Sequence, residues 1–190
     1  MRRKIFIIYI MVFALIISAC AKVETAEEAV INALTALRDV DMETIQKYFG
    51  TEDIFADEDE DYLATNKYAK LILGNLDFEI LSSSETKEGA VVEVEISNID
   101  MEAIMSEFFV NSLVFAFDES LTEEEYDKKS DELMVSLLSR KENLVKTSVI
   151  RLNLTKTEKD WLIEANKELL DAALGGLYSF IDSFNENQKN

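Results

Sequence analysis

The spacing of the apolar residues changes along this chain from a helical repeat to strict alternation, and that change limits the folds it can adopt. Apolar and acidic residues alternate over 76–80 and again over 92–96. Alternation of this kind predicts two strands that each bury one face, because successive side chains of a strand point to opposite sides. The polar stretch 82–89 lies between them and ends in a glycine. The sequence therefore predicts an antiparallel hairpin with one face exposed to water.

A second hairpin is predicted nearer the C-terminus. Apolar and polar residues alternate over 150–154, residues 156–160 form a polar turn, and Trp161 and Ile163 begin the return strand. The remaining segments carry apolar residues at helical spacing, and several begin with a capping residue, such as Thr25. The helices are predicted at about 25–38, 41–50, 59–73, 100–117, 122–138 and 166–177.

The order of these elements favours one fold class. Helices, a hairpin, helices, a second hairpin and a final helix follow one another without the strand–helix–strand repeat of a parallel sheet. We therefore expect a single α+β domain whose antiparallel sheet has about four strands in two hairpins. N-terminal, inserted and C-terminal helices would pack on that sheet, the inserted ones over 100–143.

The first twenty residues have the composition of an export signal. Positive charges at 2–4 precede an apolar run over 5–17, which is short of the roughly 20 residues that a helix needs to cross a bilayer. The sequence Ile17-Ser18-Ala19-Cys20 resembles the lipobox of bacterial lipoproteins, in which the cysteine is acylated with diacylglycerol and the signal is cut just before it. The resemblance implies acylation of Cys20 and a location at the extracytoplasmic face of the cell membrane. The alternative is an uncleaved signal anchor in which Cys20 is an ordinary thiol.

These features divide the chain into parts. Removal of the signal would leave four residues between Cys20 and the capping residue Thr25, and four residues span at most about 14 Å. We therefore expect the first helix to begin close to the membrane surface. The predicted parts are a lipoprotein signal peptide at 1–19, a short lipidated tether at 20–24, one domain at 25–184 with its helical insert at 100–143, and a polar C-terminal tail at 185–190.

The charge and the missing residue types exclude several functions. Without the signal and its three basic residues, 16 basic and 38 acidic residues remain, a net charge of −22. We therefore expect no nucleic-acid binding, and we expect the acyl group to supply the hold on the membrane. The chain has no histidine, so the commonest general base and the commonest transition-metal ligand are missing. Acylation of Cys20, its one cysteine, would leave no thiol nucleophile either. We expect no enzyme activity, no catalytic residue, no cofactor and no metal site.

The two ends of the chain resemble a known family. The opening TAEEAVINALTALRDVDMETIQKYF, a helix, a break flanked by aspartates and a second short helix, is similar to the start of nuclear-transport-factor-like (cystatin-like) cone folds. The closing RLNLTKTEKDWLIEANKELLDAALGGL resembles the last hairpin and helix of uncharacterised exported lipoproteins of low-GC Gram-positive bacteria with that fold. The resemblance implies a cone-like domain. It leaves the function open, because relatives of this fold include both enzymes and binding domains.

Two short motifs suggest chemistry, and both depart from the pattern they resemble. The acidic run 57–61 invites a calcium site, but an EF-hand loop that starts at Asp57 would need glycine and glutamate where Tyr62 and Tyr68 stand. The stretch Ser84–Lys87 matches the S-x-x-K of penicillin-recognising enzymes, but it falls in the predicted turn of the first hairpin, and no S-D-N motif accompanies it. We interpret the first as a solvated acidic loop and the second as a coincidence.

The segment FFVNSLVFAF at 108–117 is the strongest candidate for a site. Seven of its ten residues are large and apolar, which is too many for one face of a surface helix. Burial between the sheet and the helix that starts near Thr122 would explain this composition. The alternatives are the lining of a pocket for an apolar ligand and a contact between subunits. The residues proposed for these roles are Phe108, Phe109, Leu113, Phe115, Phe117 and Trp161, of which Trp161 also suits the core.

Together these observations favour a binding or scaffold module that is held at the membrane by its lipid. Its expected partners are the membrane itself, through Cys20, and a small apolar ligand or a neighbouring membrane protein. A homo-oligomer also fits the sequence. Two other classes stay open: a hydrolase that uses an aspartate or glutamate in a cone-like pocket, and an envelope protein that self-associates through the insert at 100–143.

Overall fold

The computed structural model describes residues 24–50, 67–158 and 160–187. In these residues seven helices and four strands follow the predicted order, and the α+β class is confirmed. The elements are α1 (Ala26–Asp39), α2 (Met42–Phe49), α3 (Lys67–Leu73), β1 (Asp77–Glu85), β2 (Gly89–Ile99), α4 (Met101–Ala116), α5 (Glu123–Leu138), β3 (Val145–Lys156), β4 (Trp161–Ile163), α6 (Lys167–Ala173) and α7 (Leu177–Asn187).

The four strands form one antiparallel sheet in the order β1-β2-β3-β4, in which neighbours along the chain are neighbours in space. β2 and β3 are its long central pair. Their ladder runs from Gly89 opposite Thr155 to Ile99 opposite Val145. The sheet therefore has two well-separated ends, and the elements that follow β2 and precede β3 start from the Ile99 end.

β1 is longer than the sequence predicts. The turn was expected over 82–89, but β1 pairs with β2 as far as Glu85, and a register shift between Ile80 and Ser82 marks a bulge in the ladder. The serines after the bulge are exposed on an edge strand, where polar residues pair through their backbone without burying a side chain. Alternating apolar residues therefore identified only the first half of this strand.

α1 packs against the sheet and supplies much of the core. It begins with the predicted capping box, in which the Thr25 hydroxyl accepts the N–H of Glu28 and the Glu28 carboxylate accepts the N–H of Thr25. Its apolar residues at helical spacing, among them Val30, Leu34 and Leu37, are buried against β1, β2 and β4. Burial of each large side chain is worth roughly 1.5–3 kcal/mol. This contact holds α1 across the sheet.

The other predicted helix starts are capped as expected. The side chains of Asp41, Asp100 and Asn166 accept backbone N–H groups in the first turns of α2, α4 and α6. Thr122 and Glu125 form a second capping box at the start of α5. Each cap satisfies donors that the helix itself leaves unpaired, which is typically worth about 1 kcal/mol.

α3 is the described part of the third predicted helix. The sequence predicts this helix over 59–73, and residues 59–66 lie outside the described residues. Ala69, Ile72 and Leu73 are buried, and α3 packs against α1, α5 and β2. The helix therefore links the sheet to the helical hairpin described next.

α4 and α5 form the predicted insert as a helical hairpin between β2 and β3. Lys129 of α5 lies over the ring of Phe115, 5.6 Å from its centre, and Arg140 just after α5 pairs with Glu107 at 2.7 Å, so the two helices run antiparallel. Among the helices of the described ranges, none is long and apolar enough to cross a membrane.

The last predicted helix, at 166–177, is wrong as a single element, because the structure breaks it into α6 and α7. Gly175 and Gly176 have positive φ angles of 60° and 82° and end α6 in a left-handed turn. The carbonyl of Gly175 accepts the N–H of Met101 at 3.0 Å. The turn between α6 and α7 is therefore hydrogen-bonded to the start of α4.

α7 also continues beyond the predicted domain boundary. The sequence predicts a polar tail at 185–190, but the helix extends through Asn187. Its Phe180 and Phe184 lie side by side, and Phe184 stacks on Phe109 of α4 with ring centres 6.2 Å apart. The polar residues 185–187 therefore continue a helix that contacts α4 through Phe184.

Candidate functional site

A cleft of about 630 Å³ lies where α3, α4, α5 and the start of α7 meet. The two long helices contribute residues at helical spacing, so that one face of each points into the same space. The volume is in the range of pockets that hold small ligands. The lining residues are Tyr68, Ile72, Met101, Met105, Phe108, Asp127, Ser130, Asp131, Met134, Leu138 and Leu177.

Most of this lining is apolar, and three of the side chains are the methionines Met101, Met105 and Met134. A methionine side chain is unbranched and has three rotatable bonds, so it fits ligands of different outline. The apolar part of the cleft can therefore hold an aliphatic chain or a ring through shape and burial, without directional contacts.

The charged groups at the cleft form a small network between α3 and α5. The hydroxyl of Tyr68 donates a hydrogen bond to the Asp131 carboxylate, which also pairs with Lys67. Burial, together with this hydrogen bond, raises the pKa of Tyr68 to about 12. The hydrogen bonds from Lys67 and Tyr68 lower the pKa of Asp131. At neutral pH the tyrosine is therefore protonated and the aspartate ionised, which maintains the contact between the two helices.

Ser130 gives the cleft an additional polar group. Its Oγ is buried and has no hydrogen-bond partner among the described residues. A buried hydroxyl without a partner costs about 1–3 kcal/mol. A hydroxyl, amide or carbonyl group of a ligand would remove that cost. The cleft thus combines a large apolar lining with a polar edge formed by Ser130 and Asp131.

The structure separates the residues that the sequence proposed for a site. Phe108 lines the cleft. Phe115 is partly buried beneath Lys129. Trp161 is 2% exposed and belongs to the core, far along the chain from the cleft helices.

Burial of 108–117 between the sheet and α5, one of the three explanations of its composition, is not what the structure shows. Phe109, Leu113 and Phe117 are 45%, 53% and 81% exposed. α4 turns one face toward α3 and α5, and the described elements leave much of the opposite face in solvent. The apolar composition predicted a helix that is buried on two sides, whereas in the fold other elements bury only one side of α4.

Several residues of the cleft were not singled out from the sequence. Met101, Met105 and Phe108 follow the i, i+4, i+7 spacing of one helix face, and this pattern could have marked them as a group. Tyr68 and Asp131 are 63 positions apart. No local signal connects them, so their pairing depends on the packing of α3 against α5.

The start of the described chain is held firmly to the fold. The indole N–H of Trp161 donates to the carbonyl of Glu24 at 3.0 Å. The Glu24 carboxylate accepts hydrogen bonds from Tyr48 at 2.5 Å and from Asn32 at 2.7 Å, and Lys47 lies 3.8 Å from it. Ordered structure is therefore already present at Glu24, immediately before the first helix.

The two short motifs give no site in the described residues. The acidic run 57–61 lies outside them, as does Cys20. Ser84 lies in β1 and not in a turn, and its side chain is exposed. Within 24–50, 67–158 and 160–187, no group of three or more histidines, cysteines, aspartates or glutamates could hold a metal ion.

Comparison with known proteins leaves the family open. No protein-family model matches the chain, and no curated protein matches it. A solved protein from Bacillus subtilis subsp. subtilis str. 168, ycdA, described as a candidate lipoprotein, matches 78% of this chain with 16% sequence identity and a TM-score of 0.43. The match spans 47% of that protein, about half its length.

Proposed function

We propose that this protein is a lipid-anchored binding module at the extracytoplasmic face of the cell membrane, and that its cleft holds an apolar ligand with a polar end. The observation that carries the proposal is the cleft between α3, α4, α5 and α7, whose apolar lining meets a buried hydroxyl and a carboxylate. Ligand sites typically have this form, in which apolar surface gives affinity and a few polar groups orient the ligand.

The proposed anchor is an acyl group on Cys20. Its support is the lipobox-like sequence 17–20, which follows a charged and then an apolar segment. The hydrogen bonds to Glu24 mean that only three residues would separate an acylated Cys20 from the ordered domain. Such a tether would keep the start of α1 close to the membrane.

We also propose a cone-like, cystatin-like architecture for the domain. The support is the arrangement of α1, which lies against β1, β2 and β4 and is followed by α2 packed beside it. The cleft is a departure from that architecture, since it lies mostly among helices of the segment 100–143 and not between α1 and the sheet.

Binding is favoured over hydrolysis by the state of Asp131 at the cleft. The acids that line it are Asp127 and Asp131. Hydrogen bonds from Lys67 and Tyr68 lower the pKa of Asp131, so this group is ionised at neutral pH and is unsuited to donate a proton. The chain has no histidine that could serve as the proton donor instead.

Filling the cleft is expected to abolish ligand binding. Met134→Trp would put a large rigid ring into the apolar part of the cleft, where the wild-type protein has a flexible side chain. We expect it to weaken the binding of N-phenyl-1-naphthylamine, a neutral apolar fluorophore, by at least about tenfold, a loss of 1.4 kcal/mol or more. Fluorescence titration of the purified protein measures this affinity.

Met42→Trp is the matched control for this experiment. Met42 is partly buried on α2, outside the cleft, so the same substitution there should leave the affinity for the fluorophore unchanged. Equal affinities for wild type and both variants would contradict the cleft as the site. Absence of saturable binding by the wild-type protein would contradict the proposed class of ligand.

Removal of the cysteine is expected to prevent both lipidation of the protein and cleavage of its signal. Cys20→Ala should prevent acylation, so that the chain is no longer labelled by a fatty-acid probe and its signal is no longer cut before position 20. Ser18→Ala keeps a small residue in the lipobox and should be labelled like wild type. Probe labelling and the mass of the chain measure the two effects, and unchanged labelling and cleavage of the Cys20→Ala chain would exclude the proposed anchor.

A further inference from the structure

One side of α4 and the adjoining side of α7 carry large apolar side chains that are exposed to solvent. The rings of Phe109 and Phe184 stack with centres 6.2 Å apart and planes 8° apart, so the two helices form one continuous surface, which we call the α4–α7 face. On α4 this face lies on the far side of the helix from the buried Met101 and Ile104. Its exposed residues, each between 44% and 81% exposed, are Phe109, Val110, Leu113, Val114, Phe117, Ile181 and Phe184.

The α4–α7 face is large enough for a stable protein interface. With about 150–200 Å² for each large side chain, the exposed fractions correspond to roughly 600–800 Å² of apolar surface. The largest apolar patch on a typical monomer is about 300–600 Å². A standard interface buries about 800 Å² on each partner, of which about 65% is apolar in homodimers. The face therefore matches what a dimer needs from each copy.

The centre of the α4–α7 face carries no charge, and two of the charges beside it are paired. No charged residue occurs over 108–117. Glu107 accepts two hydrogen bonds of 2.7 Å from Arg140, and Lys167 pairs with Asp182. A chain with a net charge of −19 repels its own copies over most of its surface. Two copies can therefore approach most easily at this neutral apolar face.

The position of the α4–α7 face argues against the lipid bilayer as the surface that covers it. The N–H of Ala26 donates to the Glu85 carboxylate at 2.7 Å, so α1 starts beside the turn between β1 and β2. α4 starts after Ile99, at the other end of β2. β2 has 11 residues, so its two ends are about 30 Å apart. With the proposed anchor, α4, which carries most of the α4–α7 face, starts at the end of the sheet that is away from the membrane.

We propose that two copies of this protein associate through their α4–α7 faces. Because the same surface serves both copies, the contact is isologous, with a two-fold axis that passes near Leu113. Two copies anchored in one membrane would have this axis along the membrane normal. That orientation rests on the proposed lipid anchor, whereas the pairing itself does not.

Site-specific cross-linking of the full chain in its membrane tests this proposal. Leu113→Cys puts a thiol in the middle of the α4–α7 face, and a short bis-maleimide is expected to join two copies into a product of twice the chain mass. Val91→Cys, on the solvent face of β2 and 43% exposed, is the matched control and should give no such product. The wild-type chain, in which Cys20 is the one cysteine, is a second control. A cross-linked product of the wild-type chain would show that Cys20 is a free thiol, and this failure of the anchor is distinct from a failure of the pairing.

Two substitutions that make the α4–α7 face polar but leave its charge unchanged complete the test. Val110→Gln and Val114→Gln, added to the Leu113→Cys chain, are expected to lower the yield of the cross-linked dimer about tenfold or more, because they put polar groups at the centre of the contact. Glutamine is a better helix former than valine, and thermal unfolding verifies that the fold is retained. The proposal is overturned by monomer alone, by equal dimer yields at positions 113 and 91, by a dimer yield that the two glutamines leave unchanged, or by a product whose mass shows a different protein.

Discussion

Replacement of Gly175 by alanine is expected to destabilise the domain by about 3–5 kcal/mol. Gly175 has a φ of +60°, a left-handed conformation that costs an alanine about 1–2 kcal/mol. A Cβ at this position would lie 1.8 Å from the carbonyl oxygen of Ile99. The backbone between β2 and α4 would have to move, and the hydrogen bond from Met101 to the Gly175 carbonyl would be weakened or lost. Urea unfolding of the purified protein measures the loss.

The neighbouring Gly176 is the matched control for this prediction. Its φ of +82° gives a comparable conformational cost, but its Cβ would meet the side chain of Lys146, 2.3 Å from Nζ. A lysine side chain can move away, so Gly176→Ala should cost only about 1–2 kcal/mol. An equal loss of stability at the two positions would mean that conformational strain, and not the close approach to Ile99, makes glycine necessary at 175.

Replacement of Trp161 by alanine is expected to cost about 3–5 kcal/mol, in the range of large core truncations. Trp161 is 2% exposed, and Lys156 lies over its ring, 4.9 Å from the centre. Trp161 belongs to β4, a strand of only three residues. Such a short strand is held by the packing of its side chains more than by its few backbone hydrogen bonds. The substitution would also remove the hydrogen bond to the Glu24 carbonyl. We therefore expect lower stability in urea and faster hydrogen exchange in the first turn of α1.

Trp161→Phe separates the two contributions of this residue. Phenylalanine keeps an apolar ring in the core and removes the indole N–H, so the Glu24 carbonyl would be left without this donor. The expected cost is about 1–3 kcal/mol, with the change in hydrogen exchange still present at α1. If Trp161→Phe leaves exchange at α1 unaltered, the hydrogen bond to Glu24 does not hold the start of the domain.

The helix starts of this protein could be predicted from its sequence because the interactions that form them are local. A cap such as Thr25 with Glu28 involves groups three positions apart, and both partners are visible in the sequence. The strand over 92–96 could be predicted for a related reason, since alternating burial follows directly from the alternating directions of strand side chains. These two kinds of signal were sufficient for the α+β class and for the order of the elements.

The break between α6 and α7 was only partly accessible from the sequence. Two adjacent glycines at 175 and 176 are a common way to end a helix. Helical spacing nevertheless continues from Leu169 to Leu177, and it predicted one helix. The approach of Gly175 to Ile99 selects the break, and those two residues come together only when α6 packs against β2.

The sequence by itself determined the α+β class and the order of the helices and strands, and it marked 108–117 as a segment with more apolar surface than one helix face can bury. Only the tertiary structure decided how that surface is divided: Phe108 lines the cleft, while Leu113 and Phe117 are exposed on the α4–α7 face. It also decided that Tyr68 and Asp131 meet at the cleft. The physical reason is that burial of an apolar side chain, or pairing of a charged one, requires contact with other residues. Here those residues belong to helices and strands that are distant along the chain.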